Sequence, residues 1–198
     1  MDYSGLAVPF PEKEIFLRLG GNIFKNRMDE QFLCRFRKSA MRAFELCCPR
    51  GRWQIFPVSS VTGCGMILSD GTFIPGGDFA GRNGDISFLW CAAVTVGKEV
   101  TEARDSLEMV SERAIYDAVA GECADAAMDM VQSLAAGELR RRNLFLAERR
   151  FSPGYGDMPL DLQRFFFSSL HLEELNMILN DKFFMIPEKS VTAFAGVR

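Results

Sequence analysis

The sequence predicts an α+β protein, with a twisted, largely antiparallel sheet and helices packed to one side. After Met28, apolar residues recur every fourth position in an otherwise charged segment, which indicates a helix with one apolar face. Asp70-Gly71 separates two short apolar runs and favours a hairpin. The segment from Asp85 to Gly97 is largely apolar and rich in β-branched and aromatic residues, as is typical of a central strand buried on both faces.

Length and composition suit one soluble domain. The 198 residues are enough for a single core, and no linker divides them, so we predict one domain over residues 1–198. Hydrophobic residues make up 48% of the chain, yet no run approaches the roughly 20 apolar residues that a membrane-spanning helix needs, so no membrane partner is expected. The N-terminal segment lacks a basic stretch followed by a long apolar run, so a cytoplasmic location is expected.

Charge and residue counts exclude several function classes. A net charge of -3 gives no general attraction to nucleic acids. The cluster Arg140-Arg141-Arg142 is expected to complement a helix C-terminus instead. The six cysteines contain no Cys-x-x-Cys pair and His171 is the one histidine, so we expect buried free thiols, no metal site and no catalytic Ser-His or Cys-His pair.

The remaining elements follow in chain order. The helix after Met28 is expected to end at Pro49-Arg50-Gly51, and its apolar face carries Phe32, Phe36, Ala40 and Phe44. The hairpin glycine, Gly71, tolerates the positive φ of a tight two-residue turn. A second helical pattern covers some forty residues, from Thr101 to about Arg142, with one break expected near Ala120-Gly121. A shorter helix is predicted in residues 160–175, followed by two closing strands around Pro187.

The loop between these patterns, RRFSPGYGDMPL, carries the most distinctive chemistry of the chain. Arg150 offers a rigid fork of donors that matches a carboxylate or phosphate. Gly154 lets a ligand lie against the backbone, and Tyr155 adds a flat apolar face. Such a loop suits a ligand with an anionic end and a heterocycle. It equally suits an arginine-capped turn with a tyrosine packed in the core, and the residues alone leave both interpretations open.

The same loop resembles the Arg-x-x-x-Gly-Tyr segment of the activation domain of vitamin B12-dependent methionine synthase, with Arg150, Gly154 and Tyr155 at the matching positions. The segment Met185–Ala193 also resembles the Met-x-Pro-x-x-Ser-Val segment of that family. Trp90–Gly97 is similar to a strand of the domain, and residues 117–129 resemble a helix that carries an acidic ligand-contacting residue. The match is stronger over residues 85–197 and weaker over residues 1–84.

The resemblance implies that this chain binds S-adenosylmethionine. Arg150 would pair with the methionyl carboxylate, and the backbone at Ser152 and Gly154 would bond the adenine edge. Tyr155 would line the pocket. Asp125 falls where the family places a glutamate, and its carboxylate would hold the ligand's ammonium or offset the sulfonium charge. Because the aspartate side chain is shorter, a water would have room to intervene. No catalytic residue is implied.

The resembled domain restores cobalamin that has been oxidised to the inactive cob(II)alamin state, by presenting the S-methyl group while an electron arrives from a flavodoxin-like donor. This sequence has no cobalamin-binding Asp-x-His-x-x-Gly motif. The resemblance therefore implies a free-standing reactivation module in methionine biosynthesis. Its partners would be a separate methionine synthase or other corrinoid protein, which carries the cobalamin, and the flavodoxin-like donor.

Two features of the resembled domain are missing. Its larger members begin with an acidic segment, rich in Trp, Pro and Phe, that contacts the ligand, and here Tyr3, Phe10 or Glu14 would have to supply that contact. They also continue past the position of Val197. A second function class therefore stays open, a non-catalytic interaction or assembly protein that retains the fold without ligand binding. A third, an independent methyltransferase, finds no support, because no Gly-x-Gly-x-Gly loop follows a first strand.

Overall fold

The computed structural model describes residues 1–21 and 29–198, so Met28, where the first helical pattern starts, lies outside the described residues. The described chain forms a curled antiparallel sheet with helices, which confirms the predicted α+β class. The strands of this sheet are β1 (Asp2–Tyr3), β2 (Arg50–Thr62), β3 (Gly65–Leu68), β4 (Phe73–Pro75), β5 (Phe88–Thr95) and β8 (Ser190–Val197). They follow the order β4-β3-β2-β5-β8, and β1 also pairs with β2.

Strand β5 is the central strand that the sequence predicts. It pairs with β2 on one side and β8 on the other, and every residue from Leu89 to Thr95 is buried. Alternate side chains enter two different cores, with Trp90 and Ala92 in one and Leu89 and Cys91 in the other. Because both faces of β5 are apolar, both faces of the sheet must be covered.

The helices cover both faces. In the described residues they are α1 (Glu12–Arg18), α2 (Glu30–Glu45), α3 (Gly77–Arg82), α4 (Glu99–Ser106), α5 (Val110–Arg140) and α6 (Gln163–Leu170). The longest helix, α5, lays Ala127, Val131 and Ala135 against the face that carries Trp90, and α1, α2 and α4 pack around it. The prediction that helices pack to one side holds for these four, whereas the shorter α3 and α6 cover the other face through Phe79 and Phe166.

The break in the long helical pattern lies elsewhere than predicted. The pattern divides between α4 and α5, at residues 107–109, and α5 runs without interruption through Ala120-Gly121. Arg113, in the first turn of α5, donates to the carbonyls of Leu107 at 2.6 Å and Asp105 at 3.2 Å, which satisfies the exposed end of α4. A helical glycine costs about 1 kcal/mol relative to alanine, which tertiary packing readily offsets.

Three local predictions are refined. Asp29 caps α2, because its Oδ1 accepts a hydrogen bond from the Phe32 amide at 2.6 Å. The buried face of α2 includes Phe36 and Ala40, whereas Phe32 is 42% exposed. The β3–β4 hairpin forms, but its loop holds three residues, 69–71, since the Leu68 amide bonds the Thr72 carbonyl. Of the six free cysteines, only Cys91 and Cys123 are buried.

Only one of the strands around Pro187 joins the main sheet. Strand β8 follows the proline and pairs with β5, whereas β7 (Met185–Ile186) forms a separate two-stranded sheet with β6 (Ile178–Leu179). In residues 160–175, α6 is flanked by single 3-10 turns at Leu160–Leu162 and Leu172–Leu175. None of the helices in residues 1–21 and 29–198 has both the length and the apolar character required to cross a membrane.

A cluster of charges ties α4 and α5 to the start of β8. Arg104 contacts Asp117 at 2.7 Å and Glu188 at 2.9 Å, and Lys189 contacts the same two carboxylates at 2.7 and 3.1 Å. Both cations are largely buried, so the carboxylates balance charges that water cannot fully solvate. Hydrogen bonds from Arg104, supported by Lys189, lower the pKa of Glu188 to about 2.

We predict that this cluster contributes to acid sensitivity. A carboxyl whose pKa is lowered by folding stabilises the protein above its unfolded pKa, about 4.3 for glutamate, and that contribution is lost as the pH falls toward about 2. Glu188→Gln should therefore lose less stability than the wild type between pH 5 and pH 2, as measured by urea unfolding. Glu108→Gln, at an exposed glutamate outside the cluster, is the control. Parallel pH profiles for Glu188→Gln and the wild type would contradict the prediction.

Candidate ligand-binding site

The loop of residues 149–160, which we call the arginine loop, starts from a chain segment that pairs with the outer edge of β8. We call residues 145–151 the edge segment. Phe145 and Arg198 exchange backbone hydrogen bonds of 2.9 and 3.0 Å, and the Ala147 amide donates to the Gly196 carbonyl at 2.8 Å. Phe151 and Phe194 exchange bonds of 2.9 and 2.7 Å. If the pairing of Phe145 with Arg198 continued in the same register, residue 149 would lie opposite Phe194. Phe151 lies there instead, so the segment carries two extra residues. It therefore bulges at residues 148–150, which we call the edge bulge.

The edge bulge directs Arg150 onto α5. Its Nη1 lies 2.7 Å from Asp129 Oδ1 and donates to Gln132 Oε1 at 2.7 Å. The Arg150 side chain is 28% exposed, so it lies neither free in solvent nor in the core. Both α5 partners use the same nitrogen. Among the described residues, Nε and Nη2 of Arg150 make no hydrogen bond, so one side of the guanidinium fork remains available to a carboxylate.

Gln132 joins the edge bulge to α5. Its Nε2 donates to the carbonyls of Ala147 at 2.8 Å and Glu148 at 3.0 Å, while its Oε1 accepts from Arg150. One side-chain amide therefore holds both the backbone of the bulge and the guanidinium that the bulge presents.

Acidic residues extend from Asp129 along one face of α5. Glu122, Asp125, Asp129 and Gln132 are spaced by three or four residues, which places them on neighbouring turns of the same face; we call them the α5 polar stripe. Arg18 of α1 bonds Glu122 and lies 3.2 Å from Asp125. Asp125 is thus paired with Arg18, and Arg150 with Asp129.

Gly121 makes room for Arg18. A Cβ at position 121 would lie 2.8 Å from Arg18 Nη1, so the missing side chain lets the guanidinium cross α5 toward the polar stripe. Because this guanidinium ends a flexible and exposed side chain, the close approach fits a glycine at position 121 without requiring one.

The polar stripe favours positive charge. Partial burial raises the pKa of Asp125, and the carboxylates of Glu122 and Asp129 raise it further, against the opposing effect of Arg18 and Arg150. A raised carboxyl pKa means that the surroundings disfavour the negative charge. An additional cation beside Asp125 would relieve that unfavourable interaction.

The loop beyond Arg150 is anchored by buried residues and presents backbone groups. Pro153 and Met158 are buried, and Gly154 adopts a φ of 88°. The Gly154 amide donates to the Met158 carbonyl at 2.9 Å, and the Tyr155 amide donates to Ser152 O at 3.2 Å. Within residues 1–21 and 29–198, the Ser152 amide and the Gly154 carbonyl are among the loop groups that have no hydrogen-bond partner, so the backbone offers a donor and an acceptor there. The Tyr155 side chain is 77% exposed.

A cavity of about 260 Å³ lies beside the partners of Arg150. Pockets that enclose drug-sized ligands measure roughly 300–1,000 Å³, so this one fits part of a nucleotide-sized ligand. None of the five residues predicted from the sequence, Arg150, Ser152, Gly154, Tyr155 and Asp125, lines it. Its walls are Asp129, Gln132, Ser133 and Ala136 of α5 and Leu146–Glu148 of the edge segment.

At the level of sequence, no family model and no curated protein matches this chain. Thirteen chains of solved structures match it, among them a crystal structure of the MetH reactivation domain bound to AdoHcy. That match has a TM-score of 0.66 and 17% sequence identity, and it covers 98% of this chain and 79% of the other. The chain has the fold of the MetH reactivation domain. The resemblance carried by the arginine loop is thereby confirmed for the fold.

Three residues of the site were not identified from the sequence. Asp129 and Gln132 had a usable signal, because they follow Asp125 at helical spacing within the predicted helix. Arg18 had none, since it comes from a helix more than a hundred residues away in the chain. Among the described residues, no group of three or more histidine, cysteine or acidic side chains is placed to hold a metal ion.

The anchoring of the loop yields a stability prediction. Met158 is 3% exposed in the core beneath the loop, so Met158→Ala should lower the free energy of unfolding by about 2–5 kcal/mol. Tyr155→Ala, at an exposed position of the same loop, should change it by less than about 0.5 kcal/mol. Urea unfolding measures both variants. A large loss for Tyr155→Ala would mean that its ring packs into the protein.

Proposed function

We propose that this protein binds S-adenosylmethionine and presents its methyl group for the reductive reactivation of cobalamin on a separate methionine synthase or corrinoid protein. The fold shared with the MetH reactivation domain supports the proposal, since that domain was crystallised with AdoHcy. AdoHcy is S-adenosylhomocysteine, which S-adenosylmethionine becomes on losing its methyl group. The observation that carries the proposal is the free side of the Arg150 fork next to unpaired backbone groups of the loop.

The amino-acid end of the ligand fits the charges around Arg150. Its carboxylate would bind Nε and Nη2 of Arg150 bidentately, leaving the contact with Gln132 in place. Its ammonium would form an ion pair with Asp129, whose Oδ1 is 2.7 Å from Arg150 Nη1. Asp125 would then offset the sulfonium charge, as its raised pKa favours a nearby cation.

The adenine end fits the loop. The pairing edge of adenine has one acceptor, N1, and one donor, the 6-amino group. The Ser152 amide and the Gly154 carbonyl offer the complementary donor and acceptor. Gly154 leaves space for the ring to approach the backbone, and Tyr155, which is exposed, would close over the ring.

The contribution of the chain to the reaction is positioning. Transfer of the methyl group to reduced cobalt breaks the sulfur–carbon bond, releases S-adenosylhomocysteine and draws forward the unfavourable electron transfer from a flavodoxin-like donor. Arg150 and the polar stripe would fix the amino-acid end, and the loop would fix the adenine, so that the methyl group points outward toward the partner. The transfer requires no general base.

Calorimetric titration with S-adenosylmethionine tests the ligand. We expect saturable binding to the wild type, weakened roughly 10- to 150-fold in Arg150→Ala by loss of a charged hydrogen bond worth about 1.5–3 kcal/mol. Arg164→Ala removes an exposed arginine outside the edge bulge, whose guanidinium lies over the Phe183 ring, and should leave the affinity unchanged. Absence of binding heat and of a thermal shift with the wild type would exclude S-adenosylmethionine binding.

A comparison of two ligands separates the roles of the two aspartates. Both S-adenosylmethionine and S-adenosylhomocysteine carry the ammonium, but only the former carries the sulfonium. Asp129→Asn should therefore weaken both ligands, by roughly tenfold for a charged hydrogen bond. Asp125→Asn should weaken S-adenosylmethionine more than S-adenosylhomocysteine. Equal losses of both ligands in Asp125→Asn would assign Asp125 to the ammonium instead.

A second candidate function is an interaction or assembly protein that retains the fold without a ligand. The internal pairing of Arg150 with Asp129 and of Arg18 with Asp125 favours it, because both charge pairs are satisfied within the protein. Methyl-labelled S-adenosylmethionine, mixed with the protein, a corrinoid protein and a reductant, distinguishes the two. Label should reach cobalt only if the protein is a reactivation module.

A further inference from the structure

We infer that Gln132 is a positioning residue that holds the Arg150 guanidinium ready for the ligand's carboxylate. The inference rests on the proposed function, because that function assigns the carboxylate to Arg150. Gln132 itself would touch no reacting atom. Its effect would pass through Arg150 and through the edge bulge.

The geometry requires a side-chain amide at this position. Gln132 accepts a hydrogen bond from Arg150 at 2.7 Å and donates two, to the carbonyls of Ala147 and Glu148. A glutamate would keep the acceptor and lose both donors, while a leucine would fill similar space and lose all three bonds. Both carbonyls belong to the irregular stretch of the edge segment, where the two extra residues interrupt pairing with β8.

The second partner of Arg150 holds it less firmly. The Asp129 side chain is 68% exposed, and exposed ion pairs restrict a long side chain weakly. In the proposed complex, Asp129 also binds the ligand's ammonium. Gln132 is then the protein contact that keeps Nη1 in place while Nε and Nη2 receive the carboxylate. Pre-ordering the guanidinium lowers the entropy that binding must overcome.

The test compares two ligands that differ in the amino-acid end. S-adenosylmethionine carries the carboxylate, whereas 5′-methylthioadenosine keeps the adenosine but lacks the amino-acid group, and its sulfur is a neutral thioether. Each variant is therefore compared with the wild type for the same ligand, so that the difference in sulfur charge cancels. Both are titrated calorimetrically into the wild type, Gln132→Leu, Gln132→Glu, Arg150→Ala and the double variant Gln132→Leu/Arg150→Ala. Urea unfolding checks that each variant is folded, and Gln132→Glu covers the case in which Gln132→Leu does not fold.

We expect Gln132→Leu to weaken S-adenosylmethionine roughly tenfold and 5′-methylthioadenosine less than about twofold. Gln132→Glu should fall in between for S-adenosylmethionine, because it keeps the acceptor for Arg150 but releases the bulge carbonyls. The double variant should bind no more weakly than Arg150→Ala, since two residues acting through one contact are not additive.

The outcomes are distinguishable. If the wild type binds neither ligand, the proposed function is wrong and the inference falls with it. If the wild type binds and Gln132→Leu binds equally well, the inference alone is wrong. A folded Gln132→Leu that loses both ligands equally, or a double variant whose losses add, would show a general structural role and also overturn it.

Discussion

The candidate site depends on the pairing of the edge segment with β8. Two registers meet along that edge, one at Phe145 and Ala147 and the other at Phe151, and the two residues by which they differ form the edge bulge. In continued regular pairing, residues 148–150 would form part of a flat sheet edge. The bulge instead turns Arg150 onto α5, where Gln132 bonds both the guanidinium and the carbonyls behind it. The register change in the backbone therefore sets the position of a charge.

Helix α5 serves the fold and the site through different faces. Its small buried residues Ala127 and Ala135 pack against the sheet, and Gly51 of β2 leaves room for Val131, because an added Cβ at position 51 would lie 2.8 Å from Val131 Cγ2. Its polar stripe carries the acids that Arg18 and Arg150 partly neutralise. Because three carboxylates face two guanidiniums along the stripe, the surroundings favour one more cation. A ligand with an ammonium and a sulfonium beside one carboxylate suits that charge balance.

The internal pairing of Arg150 has two consequences for the proposed function. A ligand must displace Asp129 or share the guanidinium with it, which lowers the affinity that the ligand's own contacts would give. The same pairing compensates the charge of a partly exposed arginine next to the loop. Arg18, from the N-terminal part of the chain, also reaches the polar stripe and already pairs with Asp125.

Local periodicity in the sequence was enough to predict the α+β class, the central strand β5 and the β3–β4 hairpin, because each depends on residues close together in the chain. A strand apolar on both faces also implied two covering layers, although the prediction placed the helices on one side. Tertiary structure alone decided the partners of each charge. Arg150 reaches Gln132 across 18 residues, and Arg18 reaches Asp125 across 107. Such pairings depend on strand register and helix packing, and no short stretch of sequence encodes either.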